Sequence, residues 1–579
     1  MAVTHGRNFY FIQESGDGST DGQPSRSFRL GGKENAPRFT LEIKELENPM
    51  DDGQRTVAAP SMNAAERKAL EALFSRVQTQ GSISPASLWD SSGELTGFEY
   101  LQIYDNIIPP NSDPIKQLSD DLLVQLGTAL TKHVPQEQLD PVQHKIPAGY
   151  TYFGQLLAHD MSNMTWVQDA IWAGGNGSGG WKNAENLHAL DFSSLFGTSA
   201  KSGPPTSVWE ERAGSALGLA ALAQPGFERA VDLPRAGANG LHCCSDQRAD
   251  GNLALAQMHV LMIRFHQAAA LELDLDGVAA QDVTRRHLQA VVLTDYLPRI
   301  VPQDVYDDVM QNERKLVNTA ASDFFVPIEF AAACFRFGHS MVRDSYAHWV
   351  IDFPPGSDTT LQVADLSSLI HYTAEGGGLN NKQLTFSWAQ AWRHMVENTN
   401  SDLPDTLMAR RIKASIDPAF GNLERSHFKD AKDKTLTGQF NLAVQTLRRG
   451  AEIGLPSGQE LETLAGMPDN FDIAEFLDDK RLRFGTLADD LNLQTKTPIW
   501  FFVLAEAEAL GGGKLGPLGG RLVMETFHAA LEASEQSIIS VSNTNVTDNI
   551  FQRELRTGFG PCKTFTLGDV VAVANGGID

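Results

Sequence analysis

The chain has 579 residues, 42% hydrophobic and 21% charged, a balance that suits a globular protein with a large core and excludes a disordered or fibrous one. Its 47 basic against 72 acidic residues leave a net charge of −25, which argues against nucleic acid or an anionic membrane as main partner. The four cysteines, Cys243, Cys244, Cys334 and Cys562, cannot staple a chain this long and form no CxxC zinc pair, so a reducing, cytoplasmic setting is expected.

The first residues lack a basic end followed by an apolar core, so no signal peptide is expected. Residues 1–114 read as an N-terminal extension, partly irregular, with one extended stretch at Phe39–Lys44 and a helix opening at Asn63. Residues 115–579 read as one large, mainly α domain. Ser119 is placed to cap a helix over Asp120–Leu130. Helical periodicity recurs near 253–271, 281–297, 327–342, 386–397, 405–415, 437–451, 498–510 and 520–533. The glycine runs at 174–180 and 511–520 lack the flanking residues of a phosphate cradle and read as loops. The longest concentrated apolar run, Ile499–Ala505, is too short to span a bilayer.

Three stretches carry chemistry. In Ile146–Asn163, Gln155 and His159 are four residues apart and share a helix face, while Asp160 points about 100° away. That arrangement suits a reaction pocket beside a separate cation site. Ser245-Asp-Gln-Arg248 places Arg248 just before a long helix, where a surface arginine is the plainest reading. Phe335-Arg-Phe-Gly-His339-Ser-Met-Val-Arg343 puts a histidine in an apolar helix, where a satisfied core residue is the commoner case.

Taken together, in this order and wording, the three stretches resemble the animal-type haem peroxidases of the peroxidase–cyclooxygenase superfamily, particularly their bacterial members. The resemblance runs from about residue 115 to 540 and includes Arg448-Arg-Gly450, Gly454-Leu-Pro-Ser-Gly-Gln459, Pro498-Ile-Trp-Phe-Phe502 and Leu515-Gly-Pro-Leu-Gly-Gly-Arg521. It implies a helical domain with haem between a distal helix near 153–163 and a proximal helix near 328–342. His339 would be the iron ligand, His159 the distal acid–base, Arg248 its partner, and Gln155 the residue over the haem. Such a site uses hydrogen peroxide to form a ferryl species that oxidises a small donor such as a phenol, a halide or a dedicated metabolite.

The resemblance also implies a calcium position at Asp160, with Asp191, Ser193 and the carbonyls of Leu187 and Ala189; Leu187 stands where the family has threonine. Arg449 matches a propionate-binding arginine. Thr446 falls where the family has the asparagine that bonds the proximal histidine. The positions of the two ester-forming carboxylates fall on Ala158 and Gly251, so haem b is expected to be held non-covalently. Arg336 replaces the radical tyrosine of the related fatty-acid dioxygenases, which disfavours that branch; a specialised haem oxygenase or tailoring enzyme and a non-catalytic haem-binding protein are the remaining alternatives.

Overall fold

The computed structural model describes the backbone of three strands within residues 25–58, and residues 118–133, 146–167, 180–183, 189–196, 232–317, 324–349, 362–396, 408–424, 439–539 and 565–574, with short gaps in several of these ranges. The N-terminal strands Ser25–Arg29, Thr40–Glu45 and Arg55–Ala58 pair antiparallel in that order, so the extended stretch expected at 39–44 is a strand. The helix expected from Asn63, most of the first glycine run and Leu187 lie outside the described residues. Among the described residues the remaining sheets are two-stranded, and the architecture is helical.

The helices that build the core and carry the site are α1 (Asp120–Leu130), α2 (Gly149–Met161), α3 (Leu253–Glu272), α4 (Gly277–Val291), α5 (Ile328–Ala332), α6 (Leu442–Glu452), α7 (Ile499–Leu510), α8 (Pro517–Ala533) and α9 (Leu567–Ala574). Ser119 caps α1 by accepting from the Leu122 N–H at 3.2 Å, as its sequence position suggested. Helix α7 is buried continuously from Ile499 to Ala507, which matches a segment apolar on all sides. It packs against α6, α8 and the 3-10 segment Cys334–Met341.

Helix α2 is held close to its neighbours because Gly154 has no side chain: a Cβ there would lie 2.4 Å from the Tyr296 hydroxyl. Its first turn is fastened by Tyr150, whose hydroxyl donates to Asp295 at 2.6 Å. The same carboxylate accepts from Arg299 Nε at 2.7 Å and from the Leu567 N–H at the start of α9 at 2.8 Å. Helix α9 in turn lies along α3.

Several expected helices differ in detail. The segment near 327–342 is two pieces: α5 ends at Ala333 (φ −133°, ψ −71°) and residues 334–341 continue as a 3-10 helix. Apolar periodicity does not separate those two windings. The stretch expected as a helix at 405–415 is irregular over 408–415, because its donors serve other segments: Ala409 N–H bonds the Ile146 carbonyl and Arg410 N–H the Met341 carbonyl, at 2.8 and 2.9 Å. Helix α6 begins only after Asn441, whose Oδ1 accepts from Ala443 N and Val444 N. The helix near 281–297 opens at Gly277 and loosens into a π turn over Val292–Tyr296. From the stretch expected at 386–397, the described residues hold one short helix, Arg393–Val396.

Glu506 couples α7 to α8. It is 1% exposed, and its carboxylate caps α8 by accepting from Leu518 N and Gly519 N at 2.8 and 3.1 Å. Burial pushes its carboxyl from 4.5 up to about 7 against those two hydrogen bonds. An acid with a raised pKa in the fold holds a proton that the unfolded chain has released. Stability is therefore lost as pH rises through that window, on the order of 3 kcal/mol in all. Glu506→Gln keeps an accepting oxygen and removes the titration, so its urea midpoint should fall less than that of wild type between about pH 5 and 7. Parallel pH profiles for the two proteins would contradict this account.

Candidate active site

The distal side is one stripe of α2. Gln155 and His159 keep accessible surface while Asp160, turned aside, is fully buried, as the helix geometry requires. Burial, with the Arg248 charge adding to it, lowers His159 from 6.5 to about 3, so the imidazole is neutral at working pH. Its Nδ1 is buried and has no hydrogen-bond partner among the described residues. Gln155 Oε1 accepts from Asn252 Nδ2 at 3.1 Å, and Asn252 Oδ1 caps α3 through the Leu255 N–H at 2.9 Å. The residue that opens α3 thus also sets the amide of Gln155.

Arg248 sits in a 3-10 turn, Gln247–Asp250, that leads into α3. Its Nε donates to Asp246 Oδ1 at 2.9 Å and its Nη2 to Asp246 Oδ2 at 2.6 Å. Nη1 donates to the Ser162 carbonyl at 2.6 Å and Nη2 to the His159 carbonyl at 2.8 Å. Those bonds commit four of the five guanidinium N–H groups, leaving one on Nη1. Arg248 is therefore first a brace on the end of α2, with one Nη1 proton left over. Burial raises the Asp246 carboxyl, but the Arg248 charge and hydrogen bonds outweigh it and hold it near 2.

The turn is anchored from behind by Arg235. Its guanidinium bonds Asp250 at 2.7 and 3.0 Å and Asp232 at 2.8 and 2.9 Å. Asp250 also accepts from the Ala374 N–H at 2.9 Å, so the carboxylate one residue from the expected ester position is already engaged.

The proximal side is the 3-10 helix Cys334–Met341, which packs against α2. His339 is lowered from 6.5 to about 3 by burial, then by the charges of Arg336 and Arg449. The charge of Arg336 also acts on His159, which puts it within reach of both histidines. Like His159, His339 lies deep yet keeps some accessible surface. Its Nδ1 is buried with no hydrogen-bond partner among the described residues. Thr446 and Arg449 lie one turn apart on α6; the Thr446 hydroxyl donates to the Leu442 carbonyl at 2.9 Å.

The expected cation position is assembled in part. Asp160 Oδ2 accepts from Phe192 N at 2.9 Å, and Oδ1 from Ser194 N at 2.9 Å and Ser193 Oγ at 3.3 Å. Phe192 adopts φ 54°, a left-handed conformation uncommon outside glycine, within the turn that aims those donors at the carboxylate. Asp191 lies close enough for its charge to help burial raise Asp160 to about 6, and its own carboxylate accepts from the Ser534 hydroxyl. The Ala189 carbonyl accepts from Asp191 N at 3.0 Å. Among the described residues no group of three or more His, Cys, Asp or Glu side chains could hold a metal.

Asp246, Asn252 and Arg235 were not singled out from the sequence. Asp246 had a signal, an acidic cap two residues before Arg248. Arg235 had none, since it reaches Asp250 across fifteen positions. Arg235 is 3% exposed at its side chain and faces two carboxylates exposed by 7% and 6%. Arg235→Ala would bury both without their cation, at a cost of about 3–5 kcal/mol. Chemical denaturation should register that loss, and a change below about 1 kcal/mol would mean the network is not an anchor.

A model of the animal haem peroxidase family matches residues 227–532, which include Arg248, His339, Thr446 and Arg449; His159 and Asp160 precede the match. Among curated proteins, the chain is 22% identical over 404 residues to heme peroxidase 2 of Caenorhabditis elegans, covering 64% of this chain and 50% of that protein. It is 26% identical over 253 residues to a peroxidasin homologue of the same organism, covering 41% of this chain and 20% of that one. The chain thus spans about half the length of the first relative and a fifth of the second. Among solved structures, the fatty acid alpha-dioxygenase of Arabidopsis thaliana superposes with a TM-score of 0.51 at 12% identity, covering 88% of this chain and 85% of that one, a likeness of fold alone.

Proposed function

The chain belongs to the animal haem peroxidase family, and from that premise we propose that it binds haem between α2 and the 3-10 helix and uses hydrogen peroxide to oxidise a small donor. One observation carries the reading: two deep, neutral histidines on facing elements have ring nitrogens without hydrogen-bond partners among the described residues, and one arginine's charge acts on both. Both rings bury Nδ1 yet keep some accessible surface, which fits side chains that turn their other nitrogen toward a bound group.

In this reading His339 would hold the iron, while Arg449 and Arg336 would supply positive charge for the propionates. Haem, when bound, would supply the two-electron redox chemistry that peroxide cleavage requires. His159, neutral because it is buried, accepts the peroxide proton. The same burial makes it a weak holder of that proton, so it passes it to the departing oxygen. Arg248 fixes the end of α2 through the carbonyls of His159 and Ser162 and keeps one Nη1 proton for the oxygen that gains charge. Gln155, set by Asn252, borders the same pocket. Phenols, halides or a dedicated metabolite are the donor classes that suit such a site.

Haem b would be held without ester links. Ala158 and Gly251 carry no carboxylate, and Asp250 is tied to Arg235 and the Ala374 N–H. Acid–organic extraction should therefore remove the haem completely, whereas haem retained on the denatured chain would overturn the non-covalent assignment. Calcium beside Asp160 and Asp191 would relieve the repulsion between two buried carboxylates. Arg336 keeps the reading on the peroxidase side, since a dioxygenase of this fold class would need a tyrosine there.

The test is an absorption spectrum of haem-reconstituted protein before and after one equivalent of hydrogen peroxide. Wild type should take up one haem and respond within mixing. His159→Ala should slow the response about 10²- to 10⁴-fold, the usual weight of a general acid–base group. His339→Ala should lose defined haem uptake. A wild-type response no faster than that of His159→Ala would sink the peroxidase reading, leaving a haem protein without catalysis.

A further inference from the structure

We propose that Trp500 is the positioning residue of the proximal ligand, orienting His339 by packing where a metal-bound histidine ordinarily relies on a hydrogen bond. The proposal rests on the haem reading above and concerns what fixes the ring. A histidine that ligates a metal nearly always gives its second N–H to a carboxylate, a carbonyl or water, and that bond sets the ring's rotation and basicity. His339 Nδ1 is buried and meets no acceptor among the described residues. The charged groups that act on it are the guanidinium ions of Arg336 and Arg449, which carry donors and no acceptor. The Thr446 hydroxyl is committed to the Leu442 carbonyl of its own helix at 2.9 Å.

What the ring does meet is an indole. Trp500, 2% exposed, stands edge-to-face against His339 with centroids 6.0 Å apart and planes at 74°, a favoured aromatic arrangement. The same indole donates its Nε1–H to the Arg336 carbonyl at 3.2 Å. Arg336 and His339 are three residues apart on a 3-10 helix, where positions i and i+3 lie one above the other. Trp500 therefore grips one face of that helix at two points, the backbone at 336 and the ring at 339. The unusual winding of the segment is what brings both points to one side chain. Trp500 is itself fixed within the fully buried start of α7, so the grip is rigid.

A ring fixed in this way stays a neutral imidazole and donates less charge to iron than one whose Nδ1 proton is drawn off by an acceptor. The experiment is resonance Raman spectroscopy of the iron–histidine stretch in ferrous, haem-reconstituted protein, with a spectroelectrochemical midpoint. Wild type and Trp500→Phe, which keeps an aromatic edge, should give one narrow band. Trp500→Leu should broaden or split it and move the midpoint while far-ultraviolet circular dichroism is unchanged. If Trp500→Leu does not fold, Trp500→Met takes its place: it fills similar space without an aromatic edge or an N–H and should broaden the band in the same way. A narrow, unmoved band in Trp500→Leu, or in Trp500→Met where that variant stands in, would overturn the proposal. An absent band in wild type, or one that survives His339→Ala, would instead sink the axial assignment, and this proposal with it.

Discussion

The site depends on the ion pair between Arg248 and Asp246. The guanidinium joins two things that the chain order keeps apart: the last turn of α2, which carries His159, and the 3-10 turn before α3. A carbonyl at a helix end has no partner within its helix, so Arg248 satisfies acceptors that would otherwise need water. The cost is that most of its hydrogen-bonding capacity is consumed by structure. The resulting donor is pre-aimed and nearly electroneutral with its carboxylate. Such a group contributes through direction more than through net charge.

The two histidines reach the same protonation state by different surroundings. On the distal side an arginine is balanced by Asp246, and burial does most of the work. On the proximal side burial again leads, and the charges of Arg336 and Arg449 add to it.

Much of this was legible in the sequence where local chemistry decides. Ser119 as a cap, the shared face of Gln155 and His159, the turned-aside Asp160 and the buried run at 499–505 all follow from spacing and residue type. Elements whose form is set by distant partners were not legible. Residues 408–415 have acceptable helical composition, but their N–H groups bond Ile146 and Met341. The proximal segment reads equally well as α or 3-10, and only its packing on α7 and α2 selects the tighter winding. Within the site, His159, Arg248 and His339 were found through motif wording. Of their supports, Asp246 had a local signal as an acidic cap, whereas Asn252, Arg235 and Trp500 are recognisable only once the chain has folded.

Asp295 carries a consequence for how the molecule is made. Its carboxylate takes the hydroxyl of Tyr150, at the start of α2, and the N–H of Leu567, at the start of α9. These partners are separated by more than four hundred positions, so the seat of the distal helix closes only after the ribosome has passed residue 567. Until then Tyr150 and Asp295 hold each other without their third member, and α3 lacks the helix that lies along it. The seat of α2 is a late product of synthesis, and a nascent chain stalled before α9 would carry His159, Arg248 and His339 on an unfinished frame.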